Sequence, residues 1–174
     1  MSTRAFTPGF PGQPPPLACL LPVPIALLQP VLWRMITGVA ARRPELFERL
    51  GRHAGSTFLV DPLNLPFAVL LNPDPARPRM RAVRRRNIDS VRRDARIAGS
   101  FLTLLAMVDG KADGDALFFS RELVIEGDTE AVVSLRNALD DSDRSVADDA
   151  AALFGAPGRI VLEALRSIRD RRGR

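Results

Sequence analysis

Several side-chain chemistries are scarce in this chain, which has one cysteine, one histidine, one tryptophan and no tyrosine. Cys19 alone can close no internal disulfide, so the fold must be carried by apolar burial. With His53 as the only histidine, a metal cluster or a Ser-His-Asp relay would have to be built without a second histidine or cysteine, and His53 lies in a helix-end context. We therefore expect no catalytic residue, no metal and no other cofactor. Long apolar runs are missing too. The most apolar stretch, 17–28, is about a dozen residues broken by Pro22 and Pro24, against the ~20 of a helical membrane span. It is a poor signal peptide, because Arg4 is the only charge ahead of it and Pro8, Pro11 and Pro14 to Pro16 intervene. A cytoplasmic protein is the expectation.

What the chain does have is an ordinary globular composition: 174 residues, 46% hydrophobic and 26% charged. At this size roughly 70% of the unfolded surface can be buried. The charge is the unusual quantity. Lys111 is the only lysine, so 24 of the 25 basic residues are arginine, and the balance is +5. It is distributed unevenly: Met1 to Val108 nets +9, Asp109 to Asp149 nets −8, and Ala150 to Arg174 nets +4. Basic regions flanking an acidic one suit an anionic surface such as a lipid leaflet or nucleic acid, and equally a set of solvated faces.

Met1 to Pro16 is rich in proline and glycine and reads as a disordered or extended leader. Val31, Leu32, Met35, Ile36, Val39 and Ala40 form one stripe of a helix with Pro30 in its first turn, and Pro44 opens a second helix running to His53. Short strands are predicted over Thr57–Val60, Leu65–Leu71 with Pro66 delaying its start or marking an edge, Arg79–Arg86 and Asp94–Ala98. Ser100 caps a helix over Phe101–Val108. A strand over Arg121–Glu126 leads to Asp128, which caps a helix with Val132, Leu135 and Leu139 on one face. An acidic loop, Asp140 to Asp149, precedes a last helix carrying Ile160, Val161, Ala164, Leu165 and Ile168.

The weak motifs fail on chemistry. Asp109, Asp113 and Gly114 echo a calcium loop, but Lys111 and Ser120 occupy ligand positions. Gly110-Lys111 lacks the remaining residues of a phosphate loop. Arg77 to Arg96 holds nine arginines, yet no tyrosine or stacking motif accompanies them. An arginine-rich module that docks on nucleic acid or a ribosome through Arg79 to Arg96 is thus kept only as an alternative, and no nucleic-acid partner is expected.

The run Asp115-Ala116-Leu117-Phe118-Phe119-Ser120-Arg121-Glu122-Leu123-Val124-Ile125-Glu126-Gly127-Asp128-Thr129-Glu130 resembles the sterol carrier protein type 2 family, in which a phenylalanine-containing turn leads into a strand ending in Gly-Asp before a helix. Its wording is closer still to the bacterial ubiquinone biosynthesis accessory factors of the UbiT type. The resemblance is strong over 109–140 and weaker, by pattern, over 56–108.

What the resemblance implies is an α+β fold, a five-stranded antiparallel sheet with helices over one face enclosing an apolar tunnel, with an N-terminal helical extension and a C-terminal helix. The implied organisation is a leader over 1–16, an apolar and helical extension over 17–55, the lipid-binding domain over 56–140, and an acidic loop with a basic helix packing on it over 141–174. Candidate lipid-binding walls are Phe101, Leu104, Leu105, Phe118, Phe119, Leu123, Ile125, Val132, Leu135 and Leu139, with ordinary core packing as the competing role for each. The implied function is a non-catalytic carrier in oxygen-independent ubiquinone biosynthesis that presents an isoprenoid quinone precursor to modifying enzymes, the iron-sulfur hydroxylases UbiU and UbiV. A generic phospholipid or acyl-chain carrier is the nearest alternative. For docking on an anionic membrane surface, peripheral to the inner membrane, the candidates are Leu20, Leu21, Ile25, Trp33, Arg34, Arg42 and Arg43. The same segment could instead pack on the domain or form a homodimer contact.

Overall fold

The computed structural model describes residues 25–109, 123–141 and 145–172. The leader, Cys19, Leu20, Leu21, Phe118 and Phe119 lie outside them.

The described residues begin with α1 (Ile25–Arg42) and the short α2 (Pro44–Glu48). Three strands follow, β1 (Phe58–Pro62), β2 (Phe67–Asn72) and β3 (Arg79–Arg84), and then a 3-10 segment over Arg85–Ser90. After it come β4 (Ala95–Gly99), α3 (Phe101–Asp109), β5 (Leu123–Gly127) and α4 (Thr129–Asp140). Two further helices, α5 (Val146–Ala152) and α6 (Gly155–Arg172), end the fold.

The five strands form one sheet in the order β3-β2-β1-β4-β5. Three of its pairings are antiparallel, but β1 and β4 at the centre run parallel, with Phe58 opposite Ala95 and Pro62 opposite Gly99. The expectation of an antiparallel sheet thus needs this one amendment. Its cause is the route of the chain. The β2–β3 hairpin spreads to one edge, and Arg85–Ser90 carries the chain back so that β4 enters beside β1 in the same direction.

Alternation along the strands divides apolar side chains between two faces. On the first, Phe58, Ala95, Ile97 and Leu123 join Ile36 and Val39 of α1, Leu46 and Phe47 of α2, Leu104 and Met107 of α3, and Val132, Leu135 and Leu139 of α4 in a single cluster. The second face is thinner: Leu59, Ala68 and Val83 are covered by Ile88 of the 3-10 segment. Because α1 and α2 supply four buried residues to the principal core, and Leu50 just beyond α2 a fifth, they are part of the domain's interior and not an appendage to it.

Local chemistry sets the element ends. Pro66 delays β2 to Phe67, and β2 is an interior strand. Ser100 Oγ accepts the Thr103 N–H at 3.1 Å, and Asn64 Oδ1 accepts that of Phe101 at 2.8 Å, so α3 is capped twice. Three expectations shift. Pro30 lies inside α1 and not in its first turn. It and Ala26, whose carbonyl a residue there would normally engage, are both exposed, so water can satisfy that oxygen. The second helix stops at Glu48, and Gly51, at φ +51°, turns the chain into a 3-10 turn, Gly51–His53. The acidic stretch is half helix: Ser145 caps α5 by accepting from the Ala147 and Asp148 amides, and Asp148 and Asp149 occupy its first turn, where carboxylates oppose the positive helix end.

Candidate functional site

Helix α4 is the centre of the apolar region, and the joint ahead of it fixes its position. Gly127 ends β5 at φ +85°, and a Cβ there would fall 2.3 Å from the Asp94 carbonyl oxygen. Only a glycine allows that approach. It lets the Asp128 N–H donate to Asp94 O at 2.9 Å while Asp128 Oδ1 accepts the Ala131 N–H at 3.0 Å, capping α4. The other Asp128 oxygen lies 3.7 Å from His53 Nδ1, and His53 Nε2 accepts from Arg52 Nε at 3.1 Å. The lone histidine therefore sits between the end of the α2 region and the cap of α4.

From this anchored end α4 presents Ala131, Val132, Leu135, Ala138 and Leu139 inward, all buried. Leu104 of α3 and Leu123 of β5 are buried in the same cluster, and Ile125 packs against it half-buried. The structure thus brings together Leu104, Leu123, Ile125, Val132, Leu135 and Leu139. Phe101 is half-buried at the start of α3. Leu105 turns away, packing with Val108 against Ala147, Ala151 and Leu162 of α5 and α6. Sequence reasoning grouped it with Leu104, but adjacent helical residues lie about 100° apart, and a second layer of helices covers that side. It also passed over Phe58, Ile97 and Met107. Their signal was apolar alternation on β1 and β4 and one more turn of the α3 stripe.

Among the described residues the buried polar side chains are His53, Asp61, Asp109 and Arg166, and each is engaged. Asp61, fully buried on the second face, receives Arg85 at 2.7 Å and Arg96 at 2.6 Å, and Arg96 also reaches Glu126 at 2.9 Å. Burial by itself would lower the Arg96 guanidinium, but the hydrogen bonds to Asp61 and Glu126 outweigh it and raise it. Asp109, fully buried at the end of α3, accepts from Nε and Nη2 of Arg166, from Arg169 at 3.1 Å and from Ser145 Oγ at 2.6 Å. Burial pushes its carboxyl upward, yet those donors prevail and hold it well below the usual carboxylate range. Arg166 is raised in turn, chiefly by Asp109 and then by Asp148. These charges fasten elements together. The side chains that meet between β5, α3 and α4 are aliphatic, and their burial removes apolar surface from water at roughly 25 cal/mol per Å².

The residues expected to meet a membrane divide differently. Ile25 is half-buried and Trp33 is 62% exposed on α1. Arg34 donates to the Leu153 carbonyl at 3.1 and 3.3 Å and lies over the Phe154 ring, Arg42 donates to the Asp149 carbonyl at 3.0 Å, and Arg43 pairs with the Asp149 carboxylate at 2.5 Å. All three arginines therefore staple α1 to α5 and the turn after it. A Cβ on Gly38 would meet Leu153 at 2.5 Å, which is how closely the two pack. No helix among the described residues is long and apolar enough to cross a membrane.

The model of the SCP-2 sterol transfer family matches residues 39–140. No curated protein matches the chain. Solved structures that resemble it include a protein titled UbiJ-SCP2 ubiquinone synthesis protein, at 18% identity and TM-score 0.48, covering 70% of this chain and 92% of that one. Sterol carrier protein 2 from Yarrowia lipolytica, in its apo form, is 13% identical at TM-score 0.42, covering 66% and 88%. The sterol carrier protein domain 2 of Helicoverpa armigera is 15% identical at TM-score 0.43, covering 66% and 91%.

Proposed function

Since this chain belongs to the SCP-2 sterol transfer family, we propose that it is a non-catalytic lipid carrier whose cargo lies between the sheet and helices α3 and α4. What supports this reading is the aliphatic cluster of Leu104, Leu123, Ile125, Val132, Leu135 and Leu139, gathered from three elements. The buried charges are committed elsewhere to joints between elements. Phe101 at the start of α3 is a further candidate for this wall, as are Phe118 and Phe119, which lie outside the described residues.

The cargo in this reading is a polyprenylated ubiquinone precursor. The Leu123 to Glu130 run, so similar to the UbiT accessory factors, supports that choice. A long isoprenoid tail has little solubility in water, while its ring must reach soluble modifying enzymes, the UbiU and UbiV hydroxylases of the oxygen-independent branch. Native mass spectrometry of gently purified protein, followed by lipid extraction, tests the carrier role. A bound prenylated phenol or quinone is the expected result, and a phospholipid would favour the generic carrier. Protein that holds no lipid and ignores added prenylphenol would sink both. Ubiquinone measured in cells lacking the gene tests the pathway: a deficit confined to growth without oxygen is expected, and an unchanged pool in both conditions would remove the assignment.

A further inference from the structure

The arginines of the β3 to β4 tract fall into two groups. Arg85 donates to Asp61 and to the carbonyls of Pro62 and Leu65, Arg93 to the Ile88 carbonyl, and Arg96 to Asp61 and Glu126. Those three hold the fold together. Arg77, Arg79, Arg81, Arg84, Arg86 and Arg92 are exposed and have no ionic partner among the described residues. Between Arg77 and Arg93 the only carboxylate is Asp89, itself exposed.

Register puts much of this surplus on one side. Arg79 and Arg81 alternate with Met80, which packs into the principal core, so they project from the second face of the sheet beside Leu70. Arg86 lies on the 3-10 segment and Arg92 just beyond it, and that segment seats Ile88 on the same face. The middle of that face is electrically balanced, because Asp61 and Glu126 match Arg85 and Arg96. The uncompensated positive charge is therefore concentrated at its β3 side.

We propose that this arginine face docks the protein on an anionic lipid leaflet. The inference rests on the carrier reading for its purpose, since cargo of that kind resides in membranes. Two features select the leaflet. Its fixed phosphates complement a cationic face that has almost no acidic residues of its own. Single-stranded nucleic acid is read by aromatic platforms on sheets, and among the described residues the second face offers Leu59, Ala68, Leu70, Val83, Ala98 and Val124 with no aromatic ring. The cationic part of docking thus belongs to β3 and its neighbours, and not to Arg34, Arg42 and Arg43, which are occupied within the fold.

The test is sedimentation of the full chain with vesicles of phosphatidylcholine, with and without phosphatidylglycerol, at low and physiological salt. Wild type is expected to pellet only with the anionic vesicles and to be released by salt. Each arginine near the leaflet contributes roughly fivefold in partitioning, so Arg79→Gln with Arg81→Gln should cost about 25-fold. Arg159→Gln with Arg171→Gln removes the same charge from exposed positions on α6 and should cost under about threefold. Unchanged thermal melts of these surface variants establish that they fold. Equal losses in the two pairs, pelleting with pure phosphatidylcholine, or tighter binding to RNA than to vesicles in the same salt would each overturn the proposal. Lipid extraction of the Arg79→Gln, Arg81→Gln protein separates the two readings: a docking-deficient protein that retains cargo leaves the carrier role intact, and a docking-competent protein without cargo removes that role alone.

Discussion

Asp109 concentrates more bonds than any other described carboxylate, taking Arg166, Arg169 and Ser145 at the point where α3, α5 and α6 meet. Arg166 is itself buried, so removing the carboxylate strands a desolvated cation. Asp109→Asn should destabilise the fold by about 3–5 kcal/mol, read from urea denaturation. The pH dependence has a definite sign. The folded carboxyl lies below its unfolded value of about 3.9, so in acid the unfolded chain takes up the proton first. The contribution is complete above about pH 5 and fades as pH falls below about 4 toward the folded value. The gap in melting temperature between wild type and Asp109→Asn should therefore narrow in acid, and a gap independent of pH would contradict this account. None of it was legible locally. The sequence offered Asp109 as part of a failed calcium loop, and its partner Arg166 is 57 residues away. His53, by contrast, was read as sitting at a helix end, which is where it meets the α4 cap.

Elements were legible where turn chemistry and periodicity agreed. All five strands were anticipated within a few residues, and Ser100 and Asp128 cap the helices expected of them. The parallel β1–β4 pair was not, because strand patterns carry face and length but no direction. The first turn of α5 was missed because an acid-rich segment looks like a loop until Ser145 is recognised as its cap. The joint between β5 and α4 explains why a Gly-Asp pair is placed there: one residue supplies the positive φ and the close approach, the next supplies the cap. Gly127→Ala must find room for a Cβ against backbone and accept a left-handed conformation costing about 1–2 kcal/mol before any clash. We expect a loss of more than about 2 kcal/mol together with weaker protection of the α4 amides in hydrogen exchange. Asp128→Ala, which keeps the backbone and removes the cap, should cost about 1 kcal/mol. If Gly127→Ala proved as mild as Asp128→Ala, the joint would not be the constraint described.

At the scale of the whole molecule, the question sequence left open for every apolar wall residue was whether it lines a chamber or fills a core. The described structure gathers most of them in one place, which is compatible with either role, so the decision falls to energetics. In a close-packed core, Leu135→Ala and Leu139→Ala leave cavities and cost about 2–5 kcal/mol each, whatever is added to the solution. Against a lipid the wall faces a ligand, and the same truncations mainly weaken its binding. A ligand that binds only the folded state adds RT ln(1 + [L]/Kd), about 2.7 kcal/mol at a hundredfold excess over Kd. Melting curves of wild type, Leu135→Ala and Leu105→Ala, with and without a prenylated phenol, separate the cases. Leu105 is the internal reference, because it packs on α5 and α6. The carrier reading expects added prenylphenol to raise the melting temperature of wild type and Leu105→Ala alike and to raise that of Leu135→Ala less. An equal rise in all three would place the ligand elsewhere, and no rise in any would leave α4 as the lid of an ordinary core.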